Sequence, residues 1–237
     1  MNVTIWGGAG FLGSHLVDRY LADGHHVTAV DDLRTGALTN LAHVLNQPDF
    51  RFEPADPART ALSASRADLR IEVAPDASAV KIHAGPLDTR VARVFETYGP
   101  RMRPSDGGLI PLLIRETLAG EALSIRVDGE QARGFLYVDD AVEGIVRLAA
   151  SPDACGASVD LAHPERMPLR EVGELIARLA GVQLRFTQQN LQWREAVRAL
   201  PDVTIARESL GWEPRTGLRE GIVRTFDWLA AAGRAVS

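Results

Sequence analysis

Met1-Asn2-Val3-Thr4-Ile5-Trp6-Gly7-Gly8-Ala9-Gly10-Phe11-Leu12-Gly13 opens the chain, and Ser14 to Ala22 continues it as an amphipathic helical stretch. The first six residues read as a short buried strand. Val27–Val30 is a second apolar run, and Asp31 stands at its end, 24 positions after Gly7. Strand, glycine loop, helix, strand and terminal acid form the fingerprint of a dinucleotide-binding βαβ unit. Three of the loop's four glycines have distinct roles. Gly7 permits the tight turn, Gly10 lets a phosphate approach, and Gly13 lets helix and sheet pack closely. The first helical turn aims N–H groups and a positive dipole end at a pyrophosphate. Asp31 suits ribose hydroxyls and repels a 2′-phosphate, which favours NAD; Arg34 keeps NADP open.

The same alternation runs on. Strands are expected at 49–53, 68–73 and 89–95, and helices at 109–119, 139–150, 168–179, 202–210 and 218–232, which predicts an α/β fold with a mainly parallel sheet. Strands are also expected at 123–127, 135–138 and 182–187. Residues 54–66 and 74–88 are rich in Ala, Pro, Ser and Asp and read as loops or short helical turns.

Composition narrows the function classes. A chain of 237 residues with 46% hydrophobic residues can build one sizeable core with a small appended lobe. A net charge of −5 argues against a nucleic-acid surface. Cys155 is the only cysteine, which excludes a disulfide framework or cysteine metal cluster, and the six histidines are scattered. No signal peptide or transmembrane run is visible, so a cytoplasmic location is expected. Among 26 basic residues only Lys81 is a lysine.

Further motifs accompany the opening loop. They are Asp-Asp-Leu-Arg-Thr-Gly (31–36), Arg-Val-Ala-Arg-Val-Phe-Glu-Thr-Tyr-Gly-Pro-Arg-Met (90–102), Asp-Gly-Glu-Gln-Ala-Arg-Gly-Phe-Leu-Tyr-Val-Asp-Asp (128–140) and Leu-Gly-Trp-Glu-Pro-Arg (210–215). With Gly-Gly-Ala-Gly-Phe-Leu-Gly-Ser-His (7–15), this set resembles the extended short-chain dehydrogenase/reductase superfamily of nucleotide-sugar epimerases, dehydratases and decarboxylases. The UDP-glucuronate decarboxylase and dTDP-glucose 4,6-dehydratase branch is the nearest. Residues 1–76 and 88–237 follow the pattern in order.

The resemblance implies a shortened Rossmann domain, residues 1–95 with 136–150, and a small α+β nucleotide-sugar lobe, 96–135 with 151–237. It implies that Gly7, Gly10, Phe11, Leu12, Gly13, Asp31, Asp32, Leu33, Arg34 and Gly36 hold NAD. Asp56 and Pro57 would lie beside the adenine, and Ala74, after Val73, would line the cofactor. It further implies that Glu96, Leu109, Arg133 and Arg198 meet a nucleotide sugar, UDP- or dTDP-linked, with the two arginines on its diphosphate. Glu96 stands where the family carries Asn, and Arg126 where it carries a base-stacking Tyr.

The pattern breaks between Asp76 and Asp88. There the family has a helix, a strand and a second helix bearing a Tyr-x-x-x-Lys pair. Here the position four before Lys81 is Ala77, and the only tyrosines are Tyr20, Tyr98 and Tyr137. Two readings stay open: an NAD-dependent nucleotide-sugar enzyme with a replacement base such as Glu96, or an inactive relative serving as a sensor or partner subunit. Lys81 and His83 read as residues of a repaired loop. The family dimerises through helices of the missing block, so a homodimer of altered geometry over exposed apolar sheet is expected. No metal site is expected.

Overall fold

A computed structural model describes residues 1–55, 67–103, 108–120, 123–125, 132–186 and 200–234. In chain order the strands and helices are β1 (Asn2–Trp6), α1 (Phe11–Ala22), β2 (His26–Asp31), β3 (Phe50–Pro54), β4 (Leu69–Val73), β5 (Ala79–His83), β6 (Thr89–Val94), β7 (Thr97–Tyr98), α2 (Leu109–Leu118), β8 (Leu123–Ile125), β9 (Ala132–Arg133), β10 (Leu136–Tyr137), α3 (Val138–Ala150), β11 (Ser158–Leu161), β12 (Met167–Pro168), α4 (Leu169–Ala180), β13 (Leu184–Phe186), α5 (Thr204–Leu210) and α6 (Leu218–Arg234). They form two compact units.

The first unit comprises Met1–Val94, Val138–Leu161 and Val203–Glu213. It therefore takes in β11 and α5, which the sequence pattern groups with the second lobe. Its sheet has seven strands in the order β11-β6-β5-β4-β1-β2-β3. All pairings are parallel except those of β5, which runs antiparallel to both β4 and β6. Composition predicts loop over 74–88, and the family resemblance a shortened sheet; the structure puts strand β5 within 74–88. The turn into it is closed by Ala74 N–H to the Ala79 carbonyl at 2.9 Å, with Ala77 at φ +54°.

Strand alternation explains how this sheet survives with few helices. Val3, Ile5, Ile71, Val80, Ile82, Ala92 and Val159 are all buried within 1% exposure, and they share one face. On that face α1 packs on β1 and β2, α3 on β6, and α5 on β11, while α1 and α3 touch each other. Arg19 of α1 and Arg147 of α3 both hold Glu143, at 2.6 and 2.7 Å. Arg90 joins the hairpin to this layer. It is 5% exposed and donates to the carbonyls of Leu148 and Ala149 at the end of α3, a cation at the negative helix pole.

The opposite face carries Thr4, Arg70, Glu72, Lys81, His83, Thr89 and Arg93, none of them buried, together with the buried Trp6, Val30 and Asp160. Among the described residues, no helix of this unit packs there. From β4 to β6 the outward positions are mostly polar, whereas at the ends of β1 and β2 Trp6 and Val30 on the same face are apolar and buried.

The second unit comprises Phe95–Tyr137, Ala162–Asp202 and Pro214–Ser237. Three two-stranded pairings hold its irregular segments: β7 with β10, β9 with β12 and β8 with β13. Helix α2 packs against α4 and α6. Gly221 of α6 is obligatory, since a Cβ there would overlap the hydroxyl of Tyr98. Tyr98 and Tyr137 stack edge-on at 5.7 Å, and Arg224 lies 5.6 Å over the Tyr137 ring.

Candidate functional site

The first candidate site is the turn from β1 into α1. Gly7 has φ +74°, a conformation glycine enters freely, and its N–H bonds the Val30 carbonyl at 2.9 Å. A Cβ on Gly13 would overlap the Gly7 carbonyl oxygen, so the helix can start this close to the strand only with glycine there. Gly10 differs: a Cβ would meet nothing nearer than Gly7 O at 3.1 Å. Gly10 is also the N-cap of α1, with no side-chain cap, and the first turn holds no acid. The start of α1 thus presents amides and a positive pole without a competing carboxylate.

Asp31 sits at the neighbouring strand end, 4% exposed. Ala9 N–H donates to its Oδ2 at 2.9 Å, and Leu33 N–H to its Oδ1 at 2.8 Å. Each oxygen retains a lone pair for a further donor. The 32–37 loop is fastened to the glycine loop: Ala37 N–H and the Asn40 amide both donate to the Ala9 carbonyl at 2.9 Å. Gly36 is needed there, because a Cβ would come within 2.9 Å of both Asp31 oxygens. Arg34 turns back on Asp32 with a 2.5 Å ion pair, and its backbone N–H bonds Asp32 as well. Those bonds, the backbone one first, hold the Asp32 carboxyl below its ordinary range. Val73 O lies 3.1 Å from the place of a Gly7 Cβ, so the end of β4, with Ala74 following, abuts the same turn. Phe11 and Leu12 are buried on α1.

Gly7, Gly10, Phe11, Leu12, Gly13, Asp31, Asp32, Leu33, Arg34, Gly36 and Ala74 are thus gathered around one turn. Asp56 and Pro57 lie outside the described residues, as do Arg126 and Arg198. Asn40 and Ala37 belong to the site as well; nothing in their spacing along the sequence marks them as latches on Ala9.

The second candidate site lies wholly in the second unit. Glu96 and Arg133 form an ion pair at 3.3 Å, with side chains 35% and 25% exposed. The β7–β10 pairing places them, and Leu136 N–H donates to the Glu96 carbonyl at 3.2 Å. Glu96 has φ +45°, a strained value for a residue with a side chain. Arg133 also lines a hollow of about 10 Å³, the room of one water, together with Phe135, His163, Glu165, Met167 and Leu218. Gly134 brings β9 against the turn at His163, whose carbonyl a Cβ would overlap. His163 Nδ1 lies 3.2 Å from the Glu165 backbone nitrogen and 3.3 Å from the Glu165 carbonyl oxygen, which fastens the ring to this turn. The sequence gives no signal for His163, which stands alone in a turn. Leu109 begins α2, half-buried.

The tyrosines serve packing. Tyr20 is 2% exposed on α1, and burial pushes its hydroxyl well above the ordinary range. Tyr98 donates to the Leu218 carbonyl at 3.3 Å. Lys81 is exposed on β5, opposite Glu72, rather than on a loop. His83 is half-buried on the same strand, with Nδ1 3.1 Å from Thr89 Oγ1 and Nε2 3.4 Å from Glu72. Among the described residues no group of three His, Cys, Asp or Glu could hold a metal, and no helix is long and apolar enough to cross a membrane.

A seven-stranded sheet with a glycine turn and a strand-end acid defines the Rossmann class of α/β protein. The chain belongs to the NAD dependent epimerase/dehydratase family, whose pattern matches residues 3–85 and 73–161, two pieces that meet at the β4–β5 hairpin. UDP-glucuronic acid decarboxylase 1 of Xenopus tropicalis is 28% identical over 303 residues, covering 96% of this chain and 72% of the relative. That alignment is longer than the 237-residue chain, so the relative carries residues with no counterpart here. UDP-glucuronic acid decarboxylase 5 of Arabidopsis thaliana is 26% identical, covering 94% of this chain and 87% of the relative. Two solved structures share the fold. The UDP-glucuronic acid 4-epimerase of Bacillus cereus, in complex with UDP-glucuronic acid and NAD, has a TM-score of 0.79 at 18% identity, covering 98% of this chain and 100% of its own. The dTDP-glucose 4,6-dehydratase of Bacillus anthracis, in complex with NAD, has a TM-score of 0.80 at 18% identity, covering 99% and 98%.

Proposed function

We propose that this chain binds NAD at the β1–α1 turn and acts on a UDP- or dTDP-linked sugar, without the Tyr-x-x-x-Lys pair of its relatives. The observation that carries the reading is the combination at that turn: an uncapped α1 start, an unobstructed Gly10 and a buried strand-end carboxylate. These residues fit the dinucleotide. The amides at the start of α1 would hold the pyrophosphate. Asp31, with one lone pair left on each oxygen, would accept from the ribose hydroxyls. Asp31 would repel a 2′-phosphate, and Arg34 is already paired with Asp32, which favours NAD over NADP. When bound, NAD supplies reversible hydride acceptance from a sugar carbon. Arg133 and Arg198 would take the diphosphate, Leu109 would meet the nucleotide, and Asp56 and Pro57 would flank the adenine. Glu96 is the replacement base, a carboxylate held at a strained strand end and paired with Arg133.

A second reading is favoured by the sequence itself, where no Tyr-x-x-x-Lys exists. On that reading the chain binds a dinucleotide or nucleotide sugar as a sensor or partner subunit. Calorimetry with NAD and NADP, followed by a panel of UDP-, dTDP- and GDP-sugars monitored by nicotinamide absorbance and mass spectrometry, separates the two. NAD binding with turnover of a panel member supports the enzyme. NAD binding without turnover supports the sensor, and binding of neither dinucleotide refutes both.

A further inference from the structure

Glu96 and Arg133 are 37 residues apart in sequence, yet the fold holds them as a pair. The backbone at Glu96 has no freedom to withdraw. Its carbonyl is bonded by Leu136 N–H, the next residue enters β7, and its φ is already +45°. Only the side chain can swing. Arg133 is likewise anchored through β9, which pairs with β12, and Arg166 donates to the neighbouring Ala132 carbonyl. The guanidinium therefore meets an incoming anion with one of its faces already taken by a carboxylate.

We infer that Glu96 is a built-in competitor for the anion that Arg133 takes, so that a nucleotide diphosphate binds by exchange and releases the Glu96 carboxylate. This inference rests on the nucleotide-sugar reading above. A diphosphate offers more charge and more acceptor oxygens than one carboxylate, and a guanidinium grips it in bidentate fashion. It prevails, but with part of its affinity spent on displacing Glu96. The released carboxylate then faces the substrate that released it. A base uncovered only when substrate is present does not idle against water.

The test is calorimetric titration of UDP and of uridine, which lacks phosphate, into wild type, Glu96→Gln, Glu96→Asn and Arg133→Met. The two Glu96 variants remove the competing charge, and Asn tolerates positive φ better than other side chains, so one of them folds even if the other is strained. NAD affinity, read at the other unit, reports that each variant is intact. UDP binding about tenfold tighter in the Glu96 variants, weaker in Arg133→Met, and uridine binding unchanged supports the exchange. UDP binding that is unchanged or weakened in the Glu96 variants overturns it and leaves the nucleotide-sugar reading standing, as does an equal gain for uridine. UDP binding by no form overturns both.

Discussion

Gly10 and Gly13 stand three residues apart in one glycine turn, and replacing each by alanine has different expected consequences. At Gly13 a Cβ overlaps the Gly7 carbonyl oxygen and comes within 2.9 Å of Gly7 C and Gly8 Cα, all of it backbone that cannot swing aside. Alanine brings a helix-propensity gain of about 1 kcal/mol, but overpacking of this kind costs about 1–3 kcal/mol, so Gly13→Ala destabilises. At Gly10 the backbone is φ −74°, ψ 178°, open to any residue, and the nearest atom to a Cβ is 3.1 Å away. That contact with a backbone oxygen is tight but short of overlap, so Gly10→Ala costs the free protein far less than Gly13→Ala. The Gly10→Ala methyl group instead occupies the side from which a pyrophosphate reaches the α1 amides. Loss of charge-assisted amide bonds worth about 2 kcal/mol weakens NAD about 30-fold. At NAD a hundred times the wild-type dissociation constant, ligand stabilises wild type by about 2.7 kcal/mol and the variant by about 0.9. For a chain of this size that is a rise of about 5–11 °C against about 2–4 °C in the thermal transition. The reasoning fails if Gly10→Ala gains as many degrees from NAD as wild type, or if Gly13→Ala melts no lower than wild type without ligand.

Two further outcomes follow from the first unit. Ala77, at φ +54° in the turn before β5, carries strain that glycine lacks, so Ala77→Gly is expected to raise stability by about 1 kcal/mol in chemical denaturation. A midpoint that falls instead contradicts the turn geometry. Glu143 is held below the ordinary carboxylate range, first by its hydrogen bond from Arg147 and then by that from Arg19. A folded value below the unfolded one means this stabilisation is full above the unfolded value of 4.5 and disappears as pH falls through the lowered one. Glu143→Gln should lower stability at pH 7 and flatten the acid limb below pH 4.5. An unchanged acid limb counts against the Arg19–Glu143–Arg147 bridge.

Much of the fold is legible in the sequence because local pattern and tertiary role agree there. The β1–α1–β2 run combines a period-two strand, three glycines and a strand-end acid, and each is recoverable from its neighbours. The same holds for α3 and α6, whose periodicity is long. What escapes are elements defined by their partners. Strands β7, β9 and β12 are two residues each and exist only through pairing. The Glu96–Arg133 pair depends on those pairings, so nothing in its 37-residue spacing announces it. Ala79–His83 does alternate, with Val80 and Ile82 buried and Lys81 exposed. Five residues amid Asp, Ser and Pro are too few to outweigh a composition typical of loops.

That hairpin also explains how the sheet stays continuous from β4 to β6. A parallel crossover needs about a dozen residues or more, usually including a helix. Residues 74–78 between β4 and β5, and 84–88 between β5 and β6, are each far shorter. Neither link can reverse the chain for a parallel neighbour, so a lone strand between β4 and β6 must run antiparallel. Two such reversals restore the original direction. Strand β6 emerges parallel to β1 and β2, and β11 pairs parallel with it. One antiparallel strand is the shortest insert that fills the gap and preserves the polarity of everything downstream. The five-residue links on either side of β5 are too short to carry a helix, and the outward Arg70, Glu72, Lys81, His83, Thr89 and Arg93 are side chains that tolerate water, so this stretch of sheet needs no helix from its own links.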